Sequence, residues 1–287
     1  PDDGELLSAL QQGSAQACGR RMTLTFTILG CGSSMGVPRV ALGWGSCDPN
    51  NPKNRRRRCS LLVERKNSQG HRTRVLVDCT PDLRMQLLDS EVDWLDGVVI
   101  THEHADHTHG IDDLRPLFVN KRRRVEVYLD EPTSEAMRAR FGYCFTTPAG
   151  SEYPPIAHEK RLTPGQRVTI EGQGGPIEVL PVLQNHGDIS SLGFRFGNVA
   201  YSADIKSVPG ESMTALAGLD VWIVDALRKN PHPSHFNLDE ALAWIARIKP
   251  KRAILTNLHS DLDYAALRAQ LPASIEPAYD RMSFVSS

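Results

Sequence analysis

Residues 101–107, THEHADH, follow the apolar run LDGVVI at residues 95–100. Such a run predicts a buried strand, so the chain passes from a strand directly into a loop dense in histidine and aspartate. Residues two apart in an extended segment project to the same side, so His102 and His104 can reach one cation together. Asp106 and His107, turned away by the loop, can face a second cation. Imidazole and carboxylate suit zinc, manganese and iron, and the stretch therefore predicts a metal site.

Three further candidate ligands lie far along the chain, each behind an apolar run. Each occupies a place where a strand would deliver a side chain to one rim of a sheet. Singly, each also suits a capping or surface role, but in this order they predict the rest of two metal shells. They are His186 after residues 177–183, Asp204 after residues 199–203, and His259 after residues 253–258.

Several motifs together resemble the metallo-β-lactamase superfamily, from about residue 23 to the end of the chain. Within that superfamily, the chain is most similar to the phosphodiesterases of the bacterial carbon–phosphorus lyase (phosphonate) pathway. The motifs are GCGSSMGVP at 30–38, RCS at 58–60, VLVD at 75–78, the HxHxDH loop with Gly110, NH at 185–186, YSAD at 201–204 and HFNL at 235–238.

The resemblance implies a four-layer αββα sandwich of the α/β class, with the metals at one edge between the two sheets. It implies two divalent ions, zinc or manganese with iron as a further option. The first ion would be bound by His102, His104 and His186, and the second by Asp106, His107 and His259. Asp204 would bridge both ions, and Asp78 would orient a histidine; a turn role for Asp78 stays open.

Two departures from the resemblance alter these expectations. The phosphonate-pathway relative has a cysteine-rich loop that binds a structural zinc, whereas the corresponding loop here has Cys47 as its only cysteine, so no structural zinc is expected. The relative's last metal ligand follows directly on Leu-Thr, where this chain has Asn257. A rearranged loop that lets His259 reach the metal is the favoured interpretation, and an incomplete shell is the alternative.

Length and composition allow one large domain or two small ones, and two halves of similar strand and helix content, each ending in ligands, favour a single sandwich. The chain has 287 residues, 40% of them hydrophobic, and a net charge of −1 from 33 basic and 34 acidic residues. Residues 22–287 are predicted to form a single hydrolase domain, and residues 1–21 an upstream extension or expression remnant, with Met22 as the natural start. Six cysteines without paired spacing and the lack of a signal-peptide pattern predict reduced thiols in the cytoplasm.

Secondary structure is predicted as alternating strands and helices. The patterns predict a helix at residues 238–248 with Asn237 as N-cap and Glu240 close to a capping box. Residues 146–164, rich in proline, glycine and threonine, are predicted as a loop that could overhang the cleft.

The chemistry expected at two bridged cations is hydrolysis by a hydroxide held between them. A phosphodiester expels an alkoxide, and His235 matches the family position that protonates or orients the leaving oxygen. Asp106, Asp204 and His235 are therefore the predicted catalytic residues. Ser33, Ser34, Arg58 and His235 are the predicted substrate-binding residues, although a tight turn explains the serines equally well. Other histidines are predicted to be surface residues: His71, His109, His158 and His232.

Three functions compete at this point. The first is a phosphodiesterase acting on a small cyclic or nucleotide-like phosphodiester. The second is another hydrolase on the same metals, namely a lactonase, a thioesterase or a tRNA-processing nuclease. The third is a non-catalytic nucleotide-binding protein.

The sequence also bears on partners. The net charge argues against a nucleic-acid partner, and no apolar stretch is long enough to cross a membrane. A homodimer is expected from the family resemblance.

Overall fold

Two seven-stranded sheets face each other in this computed structural model, which describes residues 23–286. The predicted extension at residues 1–21 and the predicted start at Met22 lie outside the described residues. The first sheet has the order β14-β1-β2-β3-β4-β5-β6. Its strands are β1 Leu24–Gly30, β2 Ser60–Lys66, β3 Arg72–Val77, β4 Gly97–Val99, β5 Val125–Leu129, β6 Ala157–Arg161 and β14 Met282–Ser286.

The second sheet has the order β13-β12-β11-β10-β9-β8-β7. Its strands are β7 Val168–Ile170, β8 Ile177–His186, β9 Ile189–Phe196, β10 Val199–Ser202, β11 Val221–Asp225, β12 Arg252–Thr256 and β13 Ile275–Pro277. Strands β10 to β13 are parallel, whereas β7, β8 and β9 form antiparallel pairs. The sheet is therefore mixed, and its parallel part aligns several strand ends at one edge.

Helices cover the outer faces of both sheets. They are α1 Leu83–Asp89, α2 Ala105–Thr108, α3 Arg115–Lys121, α4 Glu131–Phe141, α5 Leu238–Ile248 and α6 Tyr264–Gln270. Short 3₁₀ turns lie at Pro52–Asn54, Ile111–Leu114, Gly142–Cys144 and Gly210–Leu216. Asn237 and Glu240 form a complete capping box at the start of α5, so that prediction is confirmed.

Three apolar clusters define the layers. One lies between the sheets and contains Phe26 and Val75 from the first sheet together with Phe194 from the second. Leu76, which points to the opposite face of β3, packs with Leu83 of α1 in the second cluster. The third cluster joins β11 and β12 to α5 and α6. Helices outside two facing sheets confirm the predicted αββα sandwich.

Some predicted elements differ from the structure. Residues 146–164 were predicted as loop, but β6 occupies Ala157–Arg161 and extends the first sheet as its edge strand. Only one of its five residues is buried, and its sequence AHEKR is mostly polar. It therefore contains no apolar run that would predict a strand. Within residues 23–286, no helix has the length and hydropathy required to cross a bilayer.

Candidate metal centre

The HxHxDH loop begins directly after β4 and continues into the short helix α2. His102 and His107 are buried, while His104 is exposed at the edge of the cleft. The loop is fixed to the segment after β3, because the Cys79 amide donates to the His107 carbonyl at 2.8 Å. Gly110 closes it: a Cβ there would lie 1.9 Å from the Thr80 carbonyl oxygen, so a larger residue would displace the loop.

Four side chains form the first candidate metal group. His102, His104, His186 and Asp204 each offer one ligand atom, and these atoms all lie within 4.8 Å of one another. His186 is the last residue of β8 and Asp204 lies two residues beyond β10. The Asp204 Oδ2 atom is 3.6 Å from His186 Nε2 and 3.8 Å from His102 Nε2. Ligands of a tetrahedral zinc ion are about 3.4 Å apart, so small adjustments would suffice for binding.

The second candidate group contains Asp106, His107 and, again, Asp204. His107 Nε2 lies 3.4 Å from Asp106 Oδ2 and 3.3 Å from Asp204 Oδ1. The two oxygens of Asp204 therefore face different groups, Oδ2 toward the first and Oδ1 toward the second. This is the geometry that a carboxylate bridging two cations requires.

Contacts outside the two groups orient the imidazoles toward their centre. His107 Nδ1 lies 2.7 Å from the buried Asp78 carboxylate, which also accepts from the Thr101 amide. His186 Nδ1 lies 2.7 Å from the Ser234 carbonyl oxygen, and His102 Nδ1 lies 2.9 Å from Thr101 Oγ1. In each histidine Nε2 is thus left to face the cluster.

The donor set fits divalent cations. His102 Nε2 is buried and has no hydrogen-bond partner within residues 23–286, which is costly for a polar atom unless a ligand completes it. Burial lowers the pKa of His102 well below its ordinary value, so its imidazole is neutral. Burial would raise the pKa of Asp204, but His107 and His235 outweigh it and hold that pKa well below the usual range. Neutral imidazole and ionised carboxylate are the forms that bind metal. Burial lowers the pKa of His107, but the surrounding carboxylates, Asp204 first, outweigh it and raise that pKa well above the usual range, so His107 would release a proton when a cation binds.

His235 lies beside both groups without belonging to either. Its Nδ1 is 2.8 Å from Asp225 Oδ2, and its Nε2 is 3.8 Å from Asp204 Oδ2. Burial lowers the pKa of His235, but the Asp225 and Asp204 carboxylates outweigh that influence and raise it to about 9. The capping box at Asn237 fixes the backbone two residues further on. An imidazole held in this way can present a proton to the cleft.

His259 is the predicted ligand that the structure leaves outside both groups. Its Nε2 lies 3.0 Å from Arg39 Nη1, and its Nδ1 lies 3.0 Å from Asp261 Oδ1. Asn257 lies beside the cluster instead, and its Nδ2 donates to Asp204 Oδ1 at 3.2 Å. The favoured interpretation, a rearranged loop that delivers His259 to the metal, therefore does not match this arrangement. The physical reason is that Arg39 and Asp261 already engage both ring nitrogens.

The cleft is a cavity of about 210 Å³. Ser33 and Ser34 line it as predicted substrate-binding residues, and the buried Ser33 hydroxyl has no hydrogen-bond partner in the described part of the chain. Arg58 is not among the lining residues; its Nε lies 3.1 Å from Asp82 Oδ2. Arg58 is thus paired with Asp82 in this structure, and its contact with a substrate phosphate stays a prediction.

Two residues beside the candidate site were not identified from the sequence. His232 was predicted to be a surface residue, but it is half-buried, lines the cavity and has its ring centroid 4.9 Å from that of His235. Asp225 was not singled out, although it ends the apolar strand β11 in the way that Asp204 follows β10. The same strand-end pattern could have identified it. For His232, the signal in the sequence was its place three residues before His235, in the same short segment with Pro233.

Comparison with known proteins defines the class. Residues 73–257 match the family described as Beta-lactamase superfamily domain, and the chain belongs to this family. Together with the His/Asp cluster, this makes the protein a hydrolase of the metallo-β-lactamase fold with a site suited to metal.

Individual relatives refine this likeness. A diphosphatase from the PhnP family has a TM-score of 0.81 and 35% identity, covering 92% of this chain and 98% of that one. The short form of human tRNase Z has 18% identity and a TM-score of 0.59, and the match covers 91% of this chain and 98% of that one. At this identity the match shows a shared fold alone. The octanoyltransferase of Porphyromonas gingivalis is 30% identical over 263 residues, which is 90% of this chain. The chain spans only 51% of that relative's length.

Proposed function

We propose that this protein is a dinuclear metal-dependent phosphodiesterase that cleaves a small cyclic or nucleotide-like phosphodiester. One observation carries the proposal: Asp204 directs its two oxygens to two separate ligand groups, and His235 adjoins that carboxylate. The likeness to a diphosphatase of the PhnP family supports phosphoryl rather than acyl chemistry.

His235 is the residue assigned to the leaving group. Asp225 accepts from its Nδ1 at 2.8 Å, so the ring is fixed and Nε2 is the nitrogen that faces the cleft. A phosphodiester releases an alkoxide oxygen, and a proton donated from Nε2 would neutralise the charge developing there. Asp225 has the further role of stabilising the protonated ring, since it is buried against it.

The remaining residues bind and orient. When bound, divalent cations supply a nucleophilic water at neutral pH and stabilise charge on phosphoryl oxygens. His102, His104, His186 and Asp204 would hold one cation, and Asp106, His107 and Asp204 the other. Ser33, whose hydroxyl is buried at the cavity wall, can donate to a non-bridging phosphoryl oxygen.

Acyl hydrolysis is the second candidate function. The specific observation in its favour is the 30% identity to a protein named octanoyltransferase, of which this chain spans about half. An ester or thioester could occupy the same cleft, so the two candidates differ in the leaving group that His235 serves.

The test uses metal-stripped protein reconstituted separately with manganese and zinc. Hydrolysis of bis(p-nitrophenyl) phosphate is measured beside hydrolysis of a lactone and a thioester. Metal-dependent cleavage of the diester above the other two is the expected result. Faster cleavage of the lactone or thioester would replace the proposal with acyl hydrolysis, and no turnover of any substrate would favour a binding protein.

His235→Ala is expected to lower diester turnover by about 10²- to 10⁴-fold, the usual contribution of a positioned acid or base, with unchanged metal content. His158→Ala is the matched control, because His158 is exposed on β6 and should leave turnover unaffected. If His235→Ala lost metal instead, that residue would be a ligand and its assigned role would be wrong.

A further inference from the structure

Residues 232–235, the HPSH segment, lie against the end of β8 and place two histidines in the lining of the cleft. The Ser234 carbonyl oxygen is 2.7 Å from His186 Nδ1. Just before the segment, Arg228 Nη2 donates to the Pro231 carbonyl oxygen at 2.8 Å. Prolines precede and follow the first histidine, and their rings fix φ at both positions. The segment therefore holds its side chains in defined places.

The imidazole of His232 has one nitrogen engaged within this segment. A backbone N–H can only donate, so the Ser234 amide donates to His232 Nδ1 at 3.3 Å. Burial and the neighbouring His235 lower the pKa of His232 to about 4, so the ring is neutral at physiological pH. The proton of the neutral ring must then be on Nε2.

The Nε2–H donor of His232 is free to bind a ligand. Within residues 23–286, the hydrogen bonds of this ring are made by Nδ1 and none by Nε2. Nε2 is not among the buried unpaired polar atoms of that range, so it is accessible, and the ring lines the cleft. A half-buried donor in a cleft, fixed by its other nitrogen, is suited to hold a polar group of a substrate.

His235 lies between this donor and the metal groups. The ring centroids of His232 and His235 are 4.9 Å apart, and His235 Nε2 is 3.8 Å from Asp204 Oδ2. Across the described residues, His232 makes no ring contact or ion pair with a member of either metal group. With the phosphoryl group at the metal groups and the leaving oxygen at His235, the rest of the leaving alcohol reaches His232.

We propose that His232 donates from Nε2 to an oxygen of the leaving alcohol beside the scissile oxygen, so that the preferred leaving group is a ribose with a vicinal hydroxyl. The proposal rests on the proposed function and deepens it. In a 3′,5′-cyclic ribonucleotide, water adds to phosphorus and the bond from phosphorus to the 3′ oxygen breaks. The His235 proton passes to the 3′ oxygen, and the 2′ hydroxyl accepts from His232.

Two substrates that differ in this hydroxyl alone test the contact. They are adenosine 3′,5′-cyclic monophosphate and its 2′-deoxy analogue. On metal-loaded protein, we expect kcat/KM to be about two- to tenfold higher for the ribose form, the contribution of a hydrogen bond between neutral groups. His232→Ala should remove this preference by raising the KM of the ribose form only. The product should be the 5′-monophosphate, and the 3′-monophosphate as main product would overturn the proposal.

Two further variants separate substrate binding from a structural role of His232. Glutamine is long enough to donate where Nε2 does, so His232→Gln should retain most of the preference for ribose. Asparagine can accept from the Ser234 amide but is too short to replace Nε2, so His232→Asn should lose the preference. The opposite order would mean that the ring only fixes the HPSH segment, and the proposal would be wrong.

The position of the ring proton is checked without turnover. Long-range ¹H–¹⁵N spectra of the metal-free protein at neutral pH, with the His232 signals assigned by their loss in His232→Ala, should show the proton on Nε2. A proton on Nδ1 would leave no donor for the substrate and would overturn the proposal whatever the protein cleaves.

Two controls accompany these measurements. His158→Ala removes an exposed histidine of β6 and should leave the preference for ribose unchanged, and thermal melting of every variant checks folding. Bis(p-nitrophenyl) phosphate has no hydroxyl beside its leaving oxygen, so its KM should change less than about twofold in His232→Ala.

The outcomes separate this inference from the proposed function. Equal kcat/KM for the two cyclic nucleotides, equal weakening of all three substrates in His232→Ala, or cleavage of bis(p-nitrophenyl) phosphate alone would reject the His232 assignment. The phosphodiesterase would stay intact in each of these cases. If the unaltered protein cleaves no diester, the proposed function fails and this inference fails with it.

Discussion

The two candidate metal groups share Asp204 but differ in the side chains that complete them. The first has three imidazoles and one carboxylate, drawn from the β4 loop, the end of β8 and the segment after β10. The second has one imidazole and two carboxylates. Where the resemblance predicts a further histidine for the second group, Asn257 donates to Asp204 instead.

This difference predicts unequal binding of the two cations. Imidazole suits zinc, copper, iron and nickel, whereas carboxylate-rich sets suit magnesium, calcium and manganese. The first group therefore has the donors for a tightly held ion. The second group has fewer protein ligands and leaves positions for water or substrate, as catalytic sites do.

Removing the shared residue is the largest expected effect. Asp204→Ala should empty both groups and reduce diester turnover by more than about 100-fold, the upper range for losing a residue that only supports a metal ligand. His107→Ala should empty only the second group. Metal content by elemental analysis, at about two ions in the unaltered protein if both sites fill, checks both variants.

If Asp204→Ala still bound one ion as tightly as the unaltered protein, the bridging assignment of Asp204 would be wrong. Asp204 would then belong to one group only. Glu103→Ala offers a control, because Glu103 lies in the same loop but belongs to neither group.

A smaller effect is expected at Asp78, whose Oδ2 atom lies 2.7 Å from His107 Nδ1, on the side of the ring that faces away from the metal groups. Asp78→Asn keeps a side chain that tolerates the observed φ of 67°, yet it removes the charge behind the ring. We expect metal affinity of the second group to fall about 10- to 100-fold. The first group should weaken less, because Asp78 contacts His102 through the Thr101 hydroxyl rather than directly. Titration with a chelating indicator measures the two affinities separately, and equal weakening of both ions would contradict the assignment.

Much of this centre could be predicted because its residues lie next to strong local patterns. The HxHxDH loop is contiguous and follows an apolar strand. His186 ends β8 and Asp204 follows β10, at the same edge of the second sheet. Sheet topology then brings them together. The fold was predictable for the same reason, since its central strands are apolar runs.

The other residues depend on contacts that sequence does not display. Whether His259 reaches a metal depends on Arg39, which is 220 residues away along the chain. Asn257 adopts a left-handed φ of 59°, and no local pattern announces that turn. Arg58 has the charge to bind phosphate, but its partner Asp82 becomes adjacent only on folding. The edge strands β6, β13 and β14 have five, three and five residues and are partly exposed, so none contains a long apolar run that would predict a strand.

The smallest change in metal affinity is expected from adding an imidazole to the second metal group. Asn257→His places an imidazole where Nδ2 now lies 3.2 Å from Asp204 Oδ1, and histidine is among the residues that adopt a left-handed φ. A further neutral nitrogen should strengthen metal binding at the second group by about tenfold, the lower range for such supporting changes, and shift its preference toward zinc. Chelator competition with zinc and manganese measures this, with Asn257→Ala as the control that only removes the hydrogen bond. If Asn257→His bound metal more weakly than Asn257→Ala, the space beside Asp204 would be closed to a further ligand. The difference between the two groups would then be set by the position of the backbone rather than by the identity of one side chain.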